Sequence, residues 1–237
     1  SLNTQVWVFC NLMVESSDWR WGNAISRLIK MQNLQHAQSM AHPGLIQSLV
    51  LPDTIGGAQG EFKQDIVKES GSNHLIRLIK RLSIRRNLAM MTMLEVGCGT
   101  GHFSIPFAQQ LGGMIVVATD RSKQLIELAR AKNDSHLVIW EEQDPNALTH
   151  DVESFDVVFV SNILDKFDFP MDVIRQCSRV LKPGGLLISH YGILSGFPDC
   201  NILVESYFGR VGIGPVKSVS REFEHGFQAL TTYGRKI

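Results

Sequence analysis

The sequence lacks several features that would assign the protein to a functional class directly. Lys+Arg total 23 and Asp+Glu total 23 among 237 residues, so no net charge attracts the chain to nucleic acid or to a membrane surface. No apolar run approaches the roughly 18 residues of a membrane-spanning helix. The apolar residues 6–10 lack both a preceding basic segment and a clear cleavage site, which argues against a signal peptide. We therefore expect no membrane partner.

Cysteine is scarce and irregularly spaced. The four cysteines, at positions 10, 98, 177 and 200, form no C-x-x-C pair, and Cys98 lies inside a glycine-rich stretch. This spacing favours free thiols in a reducing compartment over a disulfide framework. We expect a cytoplasmic protein of one domain with an appendage, since the length is sufficient for a large core.

The sequence does contain a glycine-rich turn between a predicted strand and a predicted helix. Residues 94–101 read LEVGCGTG; the apolar residues 88–94 predict a buried strand, and residues 103–111 predict a helix. Glycine has no Cβ, so the backbone can approach a ligand closely, and a helix start offers unpaired N–H groups. A dinucleotide fingerprint counted from Gly97 would need glycine where His102 stands, which argues against NAD and FAD.

Strand and helix patterns alternate from residue 88 onward, which predicts a doubly wound α/β sheet. Further strands are predicted at residues 114–119, 137–140, 155–161 and 186–189, with helices after Ser122 and at residues 171–181 and 202–208. In the helix after Ser122, Leu125, Leu128 and Ala129 are expected to face the core. Residues 217–224 and 227–233 predict a closing antiparallel pair. Five parallel strands and this hairpin make a seven-stranded sheet.

The N-terminal segment, residues 1–86, is distinct in pattern from the core, residues 87–237. Residues 6–14 fit a strand or a short buried helix, residues 24–40 a helix, and residues 51–60 a loop. Residues 72–86 predict an amphipathic helix. Two interpretations of its basic residues are open: contact with the phosphates of RNA, or a solvated helix face, which is the commoner case. The basic residues are Arg77, Lys80, Arg81, Arg85 and Arg86.

The form E-x-G-x-G-x-G at residues 95–101 resembles motif I of the class I S-adenosylmethionine-dependent methyltransferases, in their small-molecule, type 11-like group. Residues 142–148, 155–162 and 181–187 resemble the remaining family segments in the correct order, so the resemblance covers about residues 88–190. It implies a Rossmann-like fold, S-adenosylmethionine as cofactor with S-adenosylhomocysteine as product, and an N-terminal helical lid over the substrate pocket. Packing helices without substrate contact are an equal alternative for residues 1–70.

The resemblance also implies roles for single residues. Glu95 would order the loop and face the methionyl amine. Asp120 ends the second predicted strand, where one carboxylate can accept both ribose hydroxyls, and Asp144 would accept from the adenine amino group. Pro145 departs from the family because it has no N–H for the adenine ring. The expected cofactor-binding set is Glu95, Gly97, Cys98, Gly99, Gly101, Asp120, Arg121, Asp144, Pro145 and Ser161.

The acceptor side is less specific. His190 follows the fifth strand and has a pKa range suited to a general base, and Asp165 follows the fourth; each could instead be a wall or turn residue. The Asn/Asp-Pro-Pro-Tyr/Phe stretch of adenine and glutamine amino methylation is absent, and no carboxylate cluster predicts a metal. The favoured acceptor is a small molecule methylated at oxygen, nitrogen or carbon. A tRNA or protein methyltransferase and a non-catalytic S-adenosylmethionine-binding subunit remain alternatives.

Overall fold

The computed structural model describes residues 72–132, 135–164, 170–194, 201–222 and 227–237. Three predicted elements, at residues 6–14, 24–40 and 51–60, lie outside these ranges. So do Asp165 and residues 1–71 of the predicted N-terminal lid segment, residues 1–86. Among the described helices, none is long and apolar enough to cross a membrane.

The described chain forms one seven-stranded sheet in the order β3-β2-β1-β4-β5-β7-β6. β1 to β5 are parallel, and β7 runs antiparallel between β5 and β6. The predicted α/β fold, with five parallel strands and a terminal antiparallel pair, is therefore confirmed. The strands are β1 Thr92–Val96, β2 Ile115–Asp120, β3 Val138–Glu142, β4 Phe155–Ser161, β5 Leu181–Leu194, β6 Ile213–Glu222 and β7 Phe227–Lys236.

Helices cover both faces of the sheet, as expected when parallel strands are joined by crossovers. Core residues of α1, α2 and α3 pack together with one face, and those of α4 and α5 pack together with the other. The helices are α1 Ser72–Leu82, α2 Ser104–Gln110, α3 Lys123–Ala131, α4 Pro170–Val180 and α5 Asn201–Arg210.

Two local predictions are wrong. Residues Leu88–Met90 form a short 3-10 helix rather than the start of β1, because the Asn87 side chain accepts the N–H of Ala89 and caps a turn. Leu128 is 51% exposed, while Ile126 and Ala129 are buried. Helix α3 is therefore rotated relative to the predicted core face.

Helix α1 packs against the sheet through Leu75, Ile76 and Ile79, all buried in the core cluster with Phe107 of α2. It ends at Leu82, four residues before the predicted end. The carbonyl of Leu82 accepts a hydrogen bond from the Arg235 guanidinium of β7. Burial of three large apolar side chains stabilises this packing by several kcal/mol, at about 1.5–3 kcal/mol each. The proposed boundary at residue 86 stays a prediction.

Candidate active site

The glycine turn lies between the carboxyl end of β1 and the start of α2, and the end of β2 holds it in place. The N–H groups of Gly97 and Cys98 both donate to the carbonyl of Thr119, at 2.8 and 2.9 Å. Gly97, Gly99 and Gly101 all have positive φ, at 85°, 54° and 82°. These angles are ones that residues with a Cβ rarely adopt, which explains the alternate glycines.

The three glycines differ in their surroundings. A Cβ at Gly97 would lie 2.3 Å from Cγ2 of Ile163, and one at Gly101 would lie 2.5 Å from the Trp140 ring. A Cβ at Gly99 would meet no atom of the described residues within 4 Å. The outer glycines are therefore needed for packing, whereas Gly99 borders open space that a ligand could occupy.

Glu95 is a fully buried carboxyl group beneath this turn. One oxygen, Oε2, accepts a hydrogen bond of 2.5 Å from the hydroxyl of Ser104, and the other, Oε1, is buried and has no hydrogen-bond partner among the described residues. Burial raises the pKa of Glu95 to about 8; the Ser104 hydrogen bond opposes the rise, and the nearby charge of Asp120 adds to it. A buried carboxyl oxygen without a partner is costly, so a cationic or hydrogen-bonding group at Oε1 would be favourable.

Asp120 connects the end of β2 to the glycine turn. Its Oδ2 accepts the N–H of Gly99 at 3.0 Å, and its Oδ1 accepts the N–H of Ser122 at 2.9 Å. A carboxylate has about four lone-pair positions, so these two bonds leave capacity for further donors. The carbonyl of Asp120 also accepts the N–H of Gln143, which brings the loop after β3 to the end of β2.

The other predicted cofactor residues lie outside the glycine turn and differ in their exposure. Asp144 is exposed and its Oδ1 already accepts from the backbone and side chain of Asn146, at 2.9 and 3.2 Å, while Pro145 is buried. Arg121 is exposed next to Asp120, and Ser161 is buried at the end of β4.

Cys98 is buried in the turn, and its thiol donates to the carbonyl of Gly99. Burial and the neighbouring acids Glu95 and Asp120 raise the pKa of Cys98, so the thiol has little nucleophilic character.

His190 lies near the end of β5 and is 3% exposed. Its Nδ1 lies 2.8 Å from the hydroxyl of Thr231 on β7. The rings of Phe103 and Phe159 surround it, with centroids 5.6 and 6.3 Å away. Burial lowers the pKa of His190 to about 4, and the charge of His74 contributes further. The imidazole is therefore neutral at pH 7.

Three contributors to the site were not expected from the sequence. Ser104, which binds Glu95, stands at the first residue of α2, nine positions after it; this spacing was visible in the sequence. Thr231 is 41 residues from His190, so only the register of β5 and β7 brings them together. His74 approaches from α1, and no sequence motif marked it.

Comparison with known proteins identifies the central part of the chain. Residues 94–189 match the family model described as a methyltransferase domain. Ubiquinone biosynthesis O-methyltransferase of Coxiella burnetii is 31% identical over 118 residues, which are 48% of this chain and 50% of that protein. Malonyl-[acyl-carrier protein] O-methyltransferase of Hahella chejuensis is 33% identical over 107 residues, 45% of this chain and 38% of that protein. The chain thus spans about half the length, or less, of these relatives.

Solved structures share the same fold. Phosphoethanolamine N-methyltransferase 2 of Haemonchus contortus, in complex with S-adenosyl-L-methionine, superimposes with a TM-score of 0.57 at 14% identity, covering 69% of this chain and 52% of that chain. At this identity the likeness concerns the fold alone. Residues 94–189 are therefore similar in sequence to a methyltransferase domain, and the strand order of the chain agrees with the fold that these solved methyltransferase structures share.

Proposed function

We propose that the protein transfers a methyl group from S-adenosylmethionine to a small-molecule acceptor. The observation that carries the proposal is the open space at Gly99 together with two acids of the glycine turn. Oε1 of Glu95 is buried with no hydrogen-bond partner among the described residues, and Asp120 binds the N–H of Gly99 and acts electrostatically on Glu95. An amino acid joined to a nucleoside, with an ammonium group at one end and vicinal hydroxyls at the other, fits these two acids.

The residues suit the cofactor in charge and hydrogen bonding. Oε1 of Glu95 is able to accept from the methionyl ammonium group, and the remaining lone pairs of Asp120 are able to accept from the ribose hydroxyls. Asp144 is the candidate acceptor for the adenine amino group, through its second carboxylate oxygen. When bound, S-adenosylmethionine supplies a methyl group on positively charged sulfur, and the protein's own task is to position the acceptor and exclude water.

Proton removal from the acceptor is assigned to His190, with Asp165 as the second candidate. A neutral imidazole can accept a proton, but a pKa of about 4 makes it a weak base. We therefore expect His190 to assist most with an acceptor hydroxyl that is itself acidic. The two relatives named above are O-methyltransferases, which favours oxygen over nitrogen or carbon as the methylated atom.

Two measurements test the proposal. Titration calorimetry with S-adenosylmethionine and S-adenosylhomocysteine should show binding, and a screen of metabolite pools with labelled S-adenosylmethionine should show methyl transfer. The Arg175→Gln variant is a matched control, because Arg175 forms an exposed ion pair with Asp172 on α4, which packs on the sheet face opposite to α1, α2 and α3. Absence of cofactor binding at millimolar concentration would refute the proposal, and binding without transfer to any pool would favour a non-catalytic subunit.

A further inference from the structure

Helix α1 brings His74 to the acceptor end of the sheet. The carbonyl of Leu82 is bound by Arg235, and His74 lies eight residues earlier, which corresponds to about 12 Å along a helix. About the same distance along β7, at roughly 3.3 Å per residue, leads from Arg235 to Thr231. Thr231 is the hydrogen-bond partner of His190, the proposed base, so His74 lies at the level of His190. We call the region beside His190, where the acceptor would bind, the acceptor pocket.

The strand register places one arginine of β6 on the same side of the sheet. His190 is paired with Thr231, and Thr231 is paired with Val219. Directly paired residues point to the same face, and alternate residues along a strand do so too. Arg221 is two residues beyond Val219, so it extends this row toward the carboxyl end of β5 and is exposed.

Two further arginines follow His74 along α1. Arg77 and Arg81 stand three and seven residues after it, which are positions on one side of a helix, and both are exposed. His74 itself is partly buried. Burial is the largest cause that lowers the pKa of His74, and the charges of Arg221, Arg77 and Arg81 lower it further. These guanidinium groups therefore lie close enough to act on one imidazole. No carboxylate among the described residues forms an ion pair with any of the three arginines.

Like charges gathered from two separate elements destabilise a protein unless a counter-charge joins them. A carboxylate or phosphate accepts several hydrogen bonds from guanidinium groups, and these charge-assisted bonds are strong. Within the cluster, His74 lies close enough to act electrostatically on His190, which forms a buried, neutral and largely aromatic wall with Phe103 and Phe159. An acceptor with an apolar or aromatic body and an anionic end would match both parts.

We propose that His74, Arg77, Arg81 and Arg221 form an anion-binding entrance to the acceptor pocket, and that the methyl acceptor carries a carboxylate or phosphate group. This proposal rests on the proposed methyltransferase function, because it assigns the acceptor class of that same site. It does not depend on which residue removes the proton.

The first test uses inorganic phosphate and the full chain. In NMR spectra of histidine-labelled protein, millimolar phosphate should shift the His74 imidazole signals and raise its pKa, because a bound anion favours the protonated ring. Arg221→Gln should weaken this effect by about tenfold, the usual scale for a lost charge-assisted contact, whereas Arg175→Gln should leave it unchanged. A His74 signal that does not respond to phosphate would overturn the proposal.

The second test compares acceptors. Hydroxyl-bearing molecules that differ only in a carboxylate or a primary amide are presented with labelled S-adenosylmethionine. We expect the wild type to methylate the carboxylate-bearing acceptor faster, and we expect this preference to fall about tenfold or more in Arg221→Gln. Equal rates for the carboxylate and the amide in the wild type would refute the proposal. Calorimetry with S-adenosylhomocysteine is run on the wild type and on each variant. Absence of binding by the wild type identifies failure of the methyltransferase assignment, and unchanged binding by Arg221→Gln assigns its effect to the acceptor. Salt-dependent binding of tRNA that is lost in Arg221→Gln would overturn the small-anion acceptor in favour of RNA.

Discussion

Binding of S-adenosylhomocysteine should release close to one proton per site at pH 6 to 7, and Glu95→Gln should abolish that release. Burial raises the pKa of Glu95 to about 8, so about nine in ten side chains are protonated at pH 7. The ammonium group of the ligand favours the ionised carboxylate at the unpartnered Oε1. Binding therefore has to remove the proton.

The magnitude follows from the distance between the pKa and the working pH. Ionising Glu95 one pH unit below its pKa costs about 1.4 kcal/mol of binding free energy. Affinity should therefore rise about tenfold for each pH unit up to about 8 and then level off. Glutamine preserves the shape and can still accept from the Ser104 hydroxyl, but it cannot form the ion pair, and we expect it to weaken binding by about 1–3 kcal/mol.

Calorimetry in two buffers of different ionisation enthalpy measures the protons released. The wild type should show a buffer-dependent enthalpy at pH 6 to 7 that declines above pH 8, while Glu95→Gln should show none. Arg175→Gln, which alters an exposed ion pair on α4, should behave as the wild type. Equal enthalpies in both buffers for the wild type, or an unchanged proton release in Glu95→Gln, would refute the pairing of Glu95 with the ligand amine.

Four further predictions concern the glycine turn and its two acids. Without cofactor, the folded-state pKa of Glu95 lies above its ordinary value of 4.5, so the contribution of Glu95 to stability should be greatest below pH 4.5 and be lost as pH rises through about 8; thermal unfolding of Glu95→Gln, compared with the wild type, should lack this part of the pH dependence. Asp120→Ala should weaken S-adenosylhomocysteine binding by about 1–3 kcal/mol, measured by calorimetry, and an unchanged affinity would contradict the ribose role. Gly97→Ala should lower the unfolding free energy, because its Cβ would lie 2.3 Å from Cγ2 of Ile163. Gly99→Val should instead fold with a cost of about 1–2 kcal/mol for its left-handed backbone and block the cofactor; normal binding by this variant would contradict the open crevice.

Much of the fold could be predicted from the sequence because strands buried on both faces are nearly continuous apolar runs. β4 was predicted with its observed bounds, and the α4 residues Val173, Ile174 and Cys177 are buried as expected. The exceptions have local causes. Leu88 begins a 3-10 turn because Asn87 caps it, and apolar content alone cannot distinguish such a turn from a strand.

The candidate site was harder to predict from the sequence, because its residues come from elements that are distant along the chain. The turn glycines and Asp120 lie within 24 residues of each other, and their family pattern is visible in the sequence. The contact of His190 with Thr231 depends on a strand inserted between β5 and β6, and the approach of His74 depends on how α1 lies on the sheet. Neither can be inferred from local spacing. The assignments of the cofactor and catalytic residues stay predictions until the binding experiments are done.

The bond from Arg235 to the carbonyl of Leu82 joins positions 153 residues apart, and it has a consequence for biosynthesis. Among the described strands β7 is the last in sequence, yet it lies between β5 and β6. Until β7 has been synthesised, β6 has no partner strand among the described residues, and the carbonyl of Leu82 at the carboxyl end of α1 lacks the bond from Arg235. Pairing of β6 and the contact at the carboxyl end of α1 therefore form only after β7 has emerged from the exit tunnel, and in a nascent chain arrested before residue 227 the end of α1 should be more sensitive to protease than in the chain that contains β7.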